Sequence, residues 1–181
     1  TDIIGNSITF TAVLGGIGQA GNDIDIDSAH CSAGLLKSTS ALDTYIIESG
    51  GSTPGVPDDV TLDVIGTGDL YTAYITAPDG SILNGTTFGS NVSSGSTVLR
   101  AADGIGEQTN PINANVGSIE GVSTGSDIWV VNTGSLAVGG GSGERAFGSL
   151  RYGSKIGNSF DYRVYTKYFD RASFLKPTGQ D

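Results

Sequence analysis

The sequence predicts an all-β fold, with a parallel β-solenoid favoured and an antiparallel β-sandwich of pilin-like or jelly-roll type as the alternative. Three observations carry this. First, one stretch occurs twice. Gly16-Ile17-Gly18-Gln19 through Asp43-Thr44-Tyr45-Ile46-Ile47-Glu48-Ser49-Gly50 is echoed by Gly104-Ile105-Gly106-Glu107 through Asp127-Ile128-Trp129-Val130-Val131-Asn132-Thr133-Gly134. Within the copies, Asn22-Asp23-Ile24 matches Asn110-Pro111-Ile112, and the first copy holds four more residues, around His30 to Ser40. A long-range repeat of this kind points to stacked β units. Second, 29 glycines and 5 prolines accompany a 37% hydrophobic content, which reads as short strands between tight turns. Third, no segment sustains a helical period; Ser28 to Leu42 holds at most a short helix or a bulged excursion.

Taken in order, Ser7-Ile8-Thr9-Phe10-Thr11-Ala12-Val13 alternates apolar and polar side chains, the period of a half-buried strand. Asp23-Ile24-Asp25-Ile26-Asp27 alternates strictly, which predicts isoleucines inward and carboxylates outward. Tyr45-Ile46-Ile47 and Trp129-Val130-Val131 are continuous runs, as expected of strands covered on both faces. Between the copies, strands are predicted at Val60 to Ile65, Asp69 to Thr76, Ser81 to Leu83 and Thr97 to Ala101. Pro78-Asp79-Gly80 supplies a turn, Pro fixing φ and Gly accepting a positive φ.

The charge pattern divides the chain. Residues 1–140 hold two basic residues, Lys37 and Arg100, against fifteen acidic ones; residues 141–181 hold seven basic against four acidic. This shift predicts a Gly-rich acidic β-repeat domain at 1–138, a Gly/Ser joint at 139–143 and a basic, aromatic hairpin and tail at 144–181. Two strands are expected there, Ala146 to Tyr152 and Ser159 to Phe169, with the turn at Gly153 to Asn158. Phe160, Tyr162, Val164 and Tyr168 would share one face, and Arg163, Tyr165 and Lys167 the other. Such a hairpin suits an apolar–water boundary, or packs as an ordinary amphipathic unit.

A net charge of -10 repels phosphates and argues against nucleic acid as a partner. The single cysteine, Cys31, has no internal disulfide partner and reads as a small buried apolar residue before a reactive thiol. The chain has no methionine and begins at Thr1, as expected of a processed or partial chain. No apolar run approaches the roughly 20 residues of a membrane helix.

Chemical signals are sparse. His30 is the only histidine and lies beside Cys31, but no second pair completes a metal site, so a turn or core position is expected. Asp23, Asp25 and Asp27 are weak calcium ligand candidates, weaker candidates for polysaccharide cleavage, and otherwise a solvated acidic face that keeps sheet edges apart. No other cofactor is indicated. Gly15-Gly16-Ile17-Gly18 and Gly104-Ile105-Gly106 lack the Lys-Ser/Thr of a phosphate loop and read as turns. Tyr45 and Trp129, at equivalent repeat positions, are expected to stack in the core before they stack on sugars. Asn84-Gly85-Thr86 and Asn91-Val92-Ser93 fit the glycosylation acceptor pattern in a loop expected to be exposed.

Two family resemblances follow from these residues. Ala101-Ala102-Asp103-Gly104-Ile105-Gly106, Thr109-Asn110-Pro111-Ile112 and Gly125 to Leu136 make residues 1–138 similar to the repeats of filamentous-haemagglutinin-type bacterial adhesins. That resemblance implies a right-handed β-helix in a secreted or surface-displayed fibrous protein without a cofactor. Glu144 to Gly153 and Tyr162 to Arg171 make residues 139–181 resemble the first barrel hairpin of TonB-dependent outer-membrane receptors. A membrane barrel needs at least about eight strands, so membrane contact is implied only if the hairpin belongs to a larger barrel.

The expected function is a non-catalytic extracellular or cell-surface structural or adhesive protein, a subunit or segment of a fibre. Its partners would be copies of itself and glycans or host surfaces. In a filament, Thr1 to Val13, with Ile8, Phe10 and Ala12 on one face, would be the exchanged strand. The alternatives are a fragment of a TonB-dependent transporter and a polysaccharide-active β-helix enzyme.

Overall fold

The computed structural model describes residues 2–30, 34–49, 58–134, 144–156 and 160–171. Among them are thirteen strands and no helix. In chain order these are β1 (Ile3–Ile4), β2 (Ser7–Ala12), β3 (Ile24–Asp27), β4 (Leu35–Ser40), β5 (Thr44–Glu48), β6 (Val60–Gly66) and β7 (Thr72–Ala77). Then come β8 (Ile82–Asn84), β9 (Val92–Ala101), β10 (Ile112–Ser123), β11 (Val130–Asn132), β12 (Glu144–Ile156) and β13 (Phe160–Arg171). The chain forms two compact units, Thr1–Leu136 and Ala137–Asp181.

The first unit is a β-solenoid of about five turns. Every ladder among β1 to β11 is parallel. One ladder can be followed from end to end: Phe10, Ser38, Ile65, Val92, Ala114, Asn132. Each member lies 18 to 28 residues after the last, the length of one circuit. Steps of that size exclude hairpins and hence the sandwich, because a parallel neighbour needs a long crossover. A second column runs Val60, Ile82, Ile105, Ile128.

Alternation explains which side chains fill the interior. In β5, Thr44, Ile46 and Glu48 are buried while Tyr45 and Ile47 are half-buried; in β7, Ala73, Ile75 and Ala77 are buried. Ile26, Leu36, Ile46, Leu62, Ile65, Ile75, Ile82 and Leu99 are fully buried and stack rung upon rung. Each such side chain contributes roughly 1.5–3 kcal/mol of transfer free energy. Tyr45-Ile46-Ile47 is therefore covered on one face only, contrary to the expectation from its unbroken apolar run. A solenoid wall has an interior and a solvent side, so apolar residues at outward positions remain half-exposed. The same holds for Trp129 and Val130, which are half-buried, and for Val131, which is exposed.

Several predicted boundaries move. The strand expected from Asp69 begins at Thr72, because Tyr71 N–H donates to Gly68 O at 2.9 Å and closes a turn first. The stretch Ser28 to Leu42 contains β4, whose Leu36, Ser38 and Ser40 point inward. Pro78 to Gly80 does turn the chain between β7 and β8.

The repeat is a structural one. Gly18 and Gly106 both have φ +65°. Ile17 and Ile105 each donate to an Asp carbonyl, of Asp43 at 3.0 Å and Asp127 at 3.1 Å. Each accepts the next rung's amide in return, from Tyr45 and from Trp129, both at 2.7 Å. Gln19 and Asn22 exchange backbone hydrogen bonds, as do Glu107 and Asn110. Ile24 then pairs with Ile46 and Ile112 with Val130.

In the second unit, β12 and β13 form an antiparallel hairpin from Glu144↔Arg171 to Ile156↔Phe160, with a register shift between Glu144 and Ala146. The first strand runs past Tyr152 to Ile156, where a turn was expected. Its partner is rich in aromatic and β-branched residues, which extends the ladder through Gly153 and Ser154. The predicted distribution of side chains between its faces, the joint at 139–143 and Cys31 lie outside the described residues.

Candidate functional site

Among the described residues the solenoid buries two acidic side chains, Asp27 and Glu48, at the ends of β3 and β5. The pairing Ile26↔Glu48 sets the two strand ends side by side on adjacent rungs. Asp27 is 2% exposed, Ser28 0% and Glu48 1%. Ser28 holds the Glu48 carboxyl with two bonds: its N–H donates to Oε1 at 2.7 Å and its hydroxyl to Oε2 at 2.6 Å. His30 Nδ1 lies 2.8 Å from Asp27 Oδ2, with the imidazole side chain about one-third exposed. Asp27 Oδ1 is buried with no hydrogen-bond partner among the described residues.

Burial pushes the Glu48 carboxyl up to about 7; the two Ser28 bonds oppose this, and the nearby charges of Asp27 and Asp58 add to it. Glu48 thus exchanges a proton near neutrality. Among the described residues around it, no nucleophile–base pair is placed. Ser28 Oγ is engaged by Glu48, not by His30, so Ser28, His30 and Asp27 do not form a triad. A shallow groove of about 220 Å³ lies on the outer wall, lined by Thr76, Pro78, Arg100, Val122 and their neighbours. No member of the acidic cluster lines it. Arg100 at its edge pairs with Glu120 at 2.7 Å, both more than half exposed, so the pair adds little stability.

The three predicted carboxylates do not share one solvated face. Asp23 and Asp25 are half-buried, and Asp25 accepts a hydrogen bond from the Ser49 hydroxyl. Asp27 turns into the cluster where the strand ends, and the following bend sets Ser28 against Glu48 and His30 against Asp27. Among the described residues no three His, Cys, Asp or Glu side chains are placed to hold a metal ion.

Asn84 and Asn91 are corrected from exposed to buried, at 8% and 0% exposure. Asn84 Nδ2 donates to Pro111 O at 2.7 Å. Asn91 Nδ2 donates to Leu62 O and Asn84 Oδ1, both at 2.8 Å, and its Oδ1 accepts from Asn113 N–H at 2.9 Å. The two amides satisfy backbone groups where the loop between β8 and β9 interrupts a rung. Ile8, Phe10 and Ala12 lie on β2, within the solenoid of the same chain. β2 pairs in register with β4 from Ser7↔Leu35 to Ala12↔Ser40, and Ile8 is 6% exposed.

Tyr45 was expected in the core with Trp129. It lies instead on the outer wall, stacked on Tyr74 one rung away, with centroids 4.4 Å apart and planes within 6°. Burial, then the Tyr74 and Asp43 neighbours, raise its phenol pKa.

Glu48 was missed from sequence, yet a signal was there. Thr44, Ile46 and Glu48 share one phase of the alternation, and the repeat sets Glu48 opposite Asn132. In the second copy Asn132 Oδ1 accepts Val116 N–H at 3.1 Å, and its Nδ2 donates to Val116 O at 3.1 Å. Ser28 and Val116 each stand four residues beyond the matched Ile24 and Ile112. Glu48 therefore takes the N–H that an amide side chain takes in the other copy. Comparison with known proteins finds no matching family model, no matching characterised protein and no matching solved structure.

Proposed function

We propose that the chain is a non-catalytic structural or adhesive protein of the extracellular space or cell surface, a segment or subunit of a fibre. The observation that carries this is the equivalence of Glu48 and Asn132. The principal buried ionisable cluster occupies a position where the repeat elsewhere uses a neutral amide to cap a rung. It serves the stacking of rungs, and it stands apart from the groove on the wall. The resemblance of residues 1–138 to filamentous adhesin repeats agrees with this reading, and glycans or host surfaces are the targets it implies.

Electron microscopy of the purified chain tests the proposal. Rods or filaments are expected. Isolated globular particles that cleave a polysaccharide, with loss of cleavage in Asp25→Asn, would replace it with an enzyme. The antiparallel hairpin supports a second reading, a fragment of a TonB-dependent transporter, since strands of 13 and 12 residues exceed the roughly 9–11 that cross a bilayer. Extraction that requires detergent is the outcome that favours it.

A further inference from the structure

Resting on the fibre reading, we infer that copies of the chain join head to tail. The β1/β2 end of one solenoid stacks on the β10/β11 end of the next and continues its parallel ladders.

The geometry supplies the first argument. Phe10 and Asn132 are the two ends of a single ladder, so β2 and β11 lie in one column and run in one direction. Among the described strands β1 pairs only β3, β2 only β4, and β11 only β10. A second copy displaced along the axis brings its β2 beside β11 with the parallel sense preserved. Joining two like ends through a two-fold axis would make the new pair antiparallel and leave the opposite ends bare. Head-to-tail contact is heterologous and propagates, which is what a fibre requires.

Charge supplies the second argument. Residues 3–22 contain no ionisable side chain and no proline. Residues 108–134 contain only Glu120 and Asp127. Between them, residues 23–107 carry twelve acidic side chains against Lys37 and Arg100, a net charge of -10 with His30 neutral. The ends carry only Asp2 on one side and Glu120 and Asp127 on the other, so the flanks repel one another far more strongly than the ends and association is directed along the axis. Free sheet edges are ordinarily guarded by charge or proline; β1 and β2 carry neither. Both ends are also apolar. Ile4 is 58% exposed, Val13 79% and Leu14 90% at one end, and Ile128 43% and Val131 48% at the other.

The test uses the full chain in a Cys31→Ser background. Continuing the ladder sets Thr9 of one copy opposite Val131 of the next. Thr9→Cys and Val131→Cys proteins are mixed and oxidised. A mixed 9–131 disulfide, absent from either protein alone, is expected; predominance of 9–9 or 131–131 disulfides overturns the head-to-tail arrangement. Independently, Ile4→Glu combined with Val13→Glu adds carboxylates to the apolar surface of the β1/β2 end and weakens association more than about a hundredfold in sedimentation. Leu70→Glu and Phe88→Glu, at flank positions 91% and 90% exposed, leave it unchanged. Circular dichroism verifies that each variant is folded. A parent that assembles as strongly as the end variant overturns this inference and leaves the fibre reading standing. A parent that stays monomeric at all concentrations overturns both.

Discussion

The two copies of the repeat build the same corner and cap it with different chemistry. Gly18 and Gly106 share a positive φ, and Ile17 and Ile105 share a hydrogen-bond pattern. At the next rung the first copy places Glu48 against Ser28 and the second places Asn132 against Val116. The amide satisfies a backbone N–H and C=O together; the carboxylate offers only acceptors, so Ser28 supplies the second donor through its hydroxyl. Backbone geometry is thus the strict requirement of the unit. The capping side chain is exchangeable, and exchange for an acid introduces a buried proton-binding group.

The strongest way to break the comparison is to substitute the shared glycines. A Cβ at Gly18 would stand 2.5 Å from Tyr45 O, and one at Gly106 2.3 Å from Trp129 O. Both positions add the strain of a left-handed backbone. Gly18→Ala and Gly106→Ala should each cost about 3 kcal/mol or more in denaturant unfolding. A tolerated substitution at one site only would show that the corners are not equivalent.

A smaller effect sharpens the contrast between capped and interrupted rungs. Asn91→Ala removes one of two donors to Leu62 O and to Asn84 Oδ1 and leaves Asn113 N–H without its acceptor, and should cost about 1–3 kcal/mol. A change below about 0.5 kcal/mol would mean that these groups find other partners. The least effect is expected on the outer wall. Tyr74→Ala ends the stack on Tyr45 at about 1 kcal/mol, with no change in association, because the pair lies on a flank. A loss of assembly in that variant would make the flank an interface.

Much of the fold was legible. Alternation marked β2 and β3, and the repeat favoured stacked units over a sandwich. The interior phase of a solenoid strand was harder to read. Tyr45-Ile46-Ile47 is apolar throughout although only Ile46 is fully buried, because a solvent-facing wall tolerates scattered apolar residues. Asn84 and Asn91 resembled glycosylation acceptors since three-residue patterns carry no information about burial. Their role depends on backbone groups of Leu62, Pro111 and Asn113, which are remote in sequence. Asp27 looked outward by alternation; it turns inward where the strand ends, which alternation does not encode.

Glu48 acts in the fold as a rung cap that binds a proton. Its folded pKa is raised from an ordinary 4.5 to about 7. Between these values the folded chain holds a proton that the unfolded chain has released, so stability falls as pH rises. Its contribution is fully present below about pH 4.5 and lost above pH 7, about 3 kcal/mol in all. The decisive measurement is denaturant unfolding of parent and Glu48→Gln from pH 4 to pH 8. The variant should fold, and its stability relative to the parent should rise by about 3 kcal/mol across that range. A variant that fails to fold, or a difference that does not change with pH, would contradict the claim.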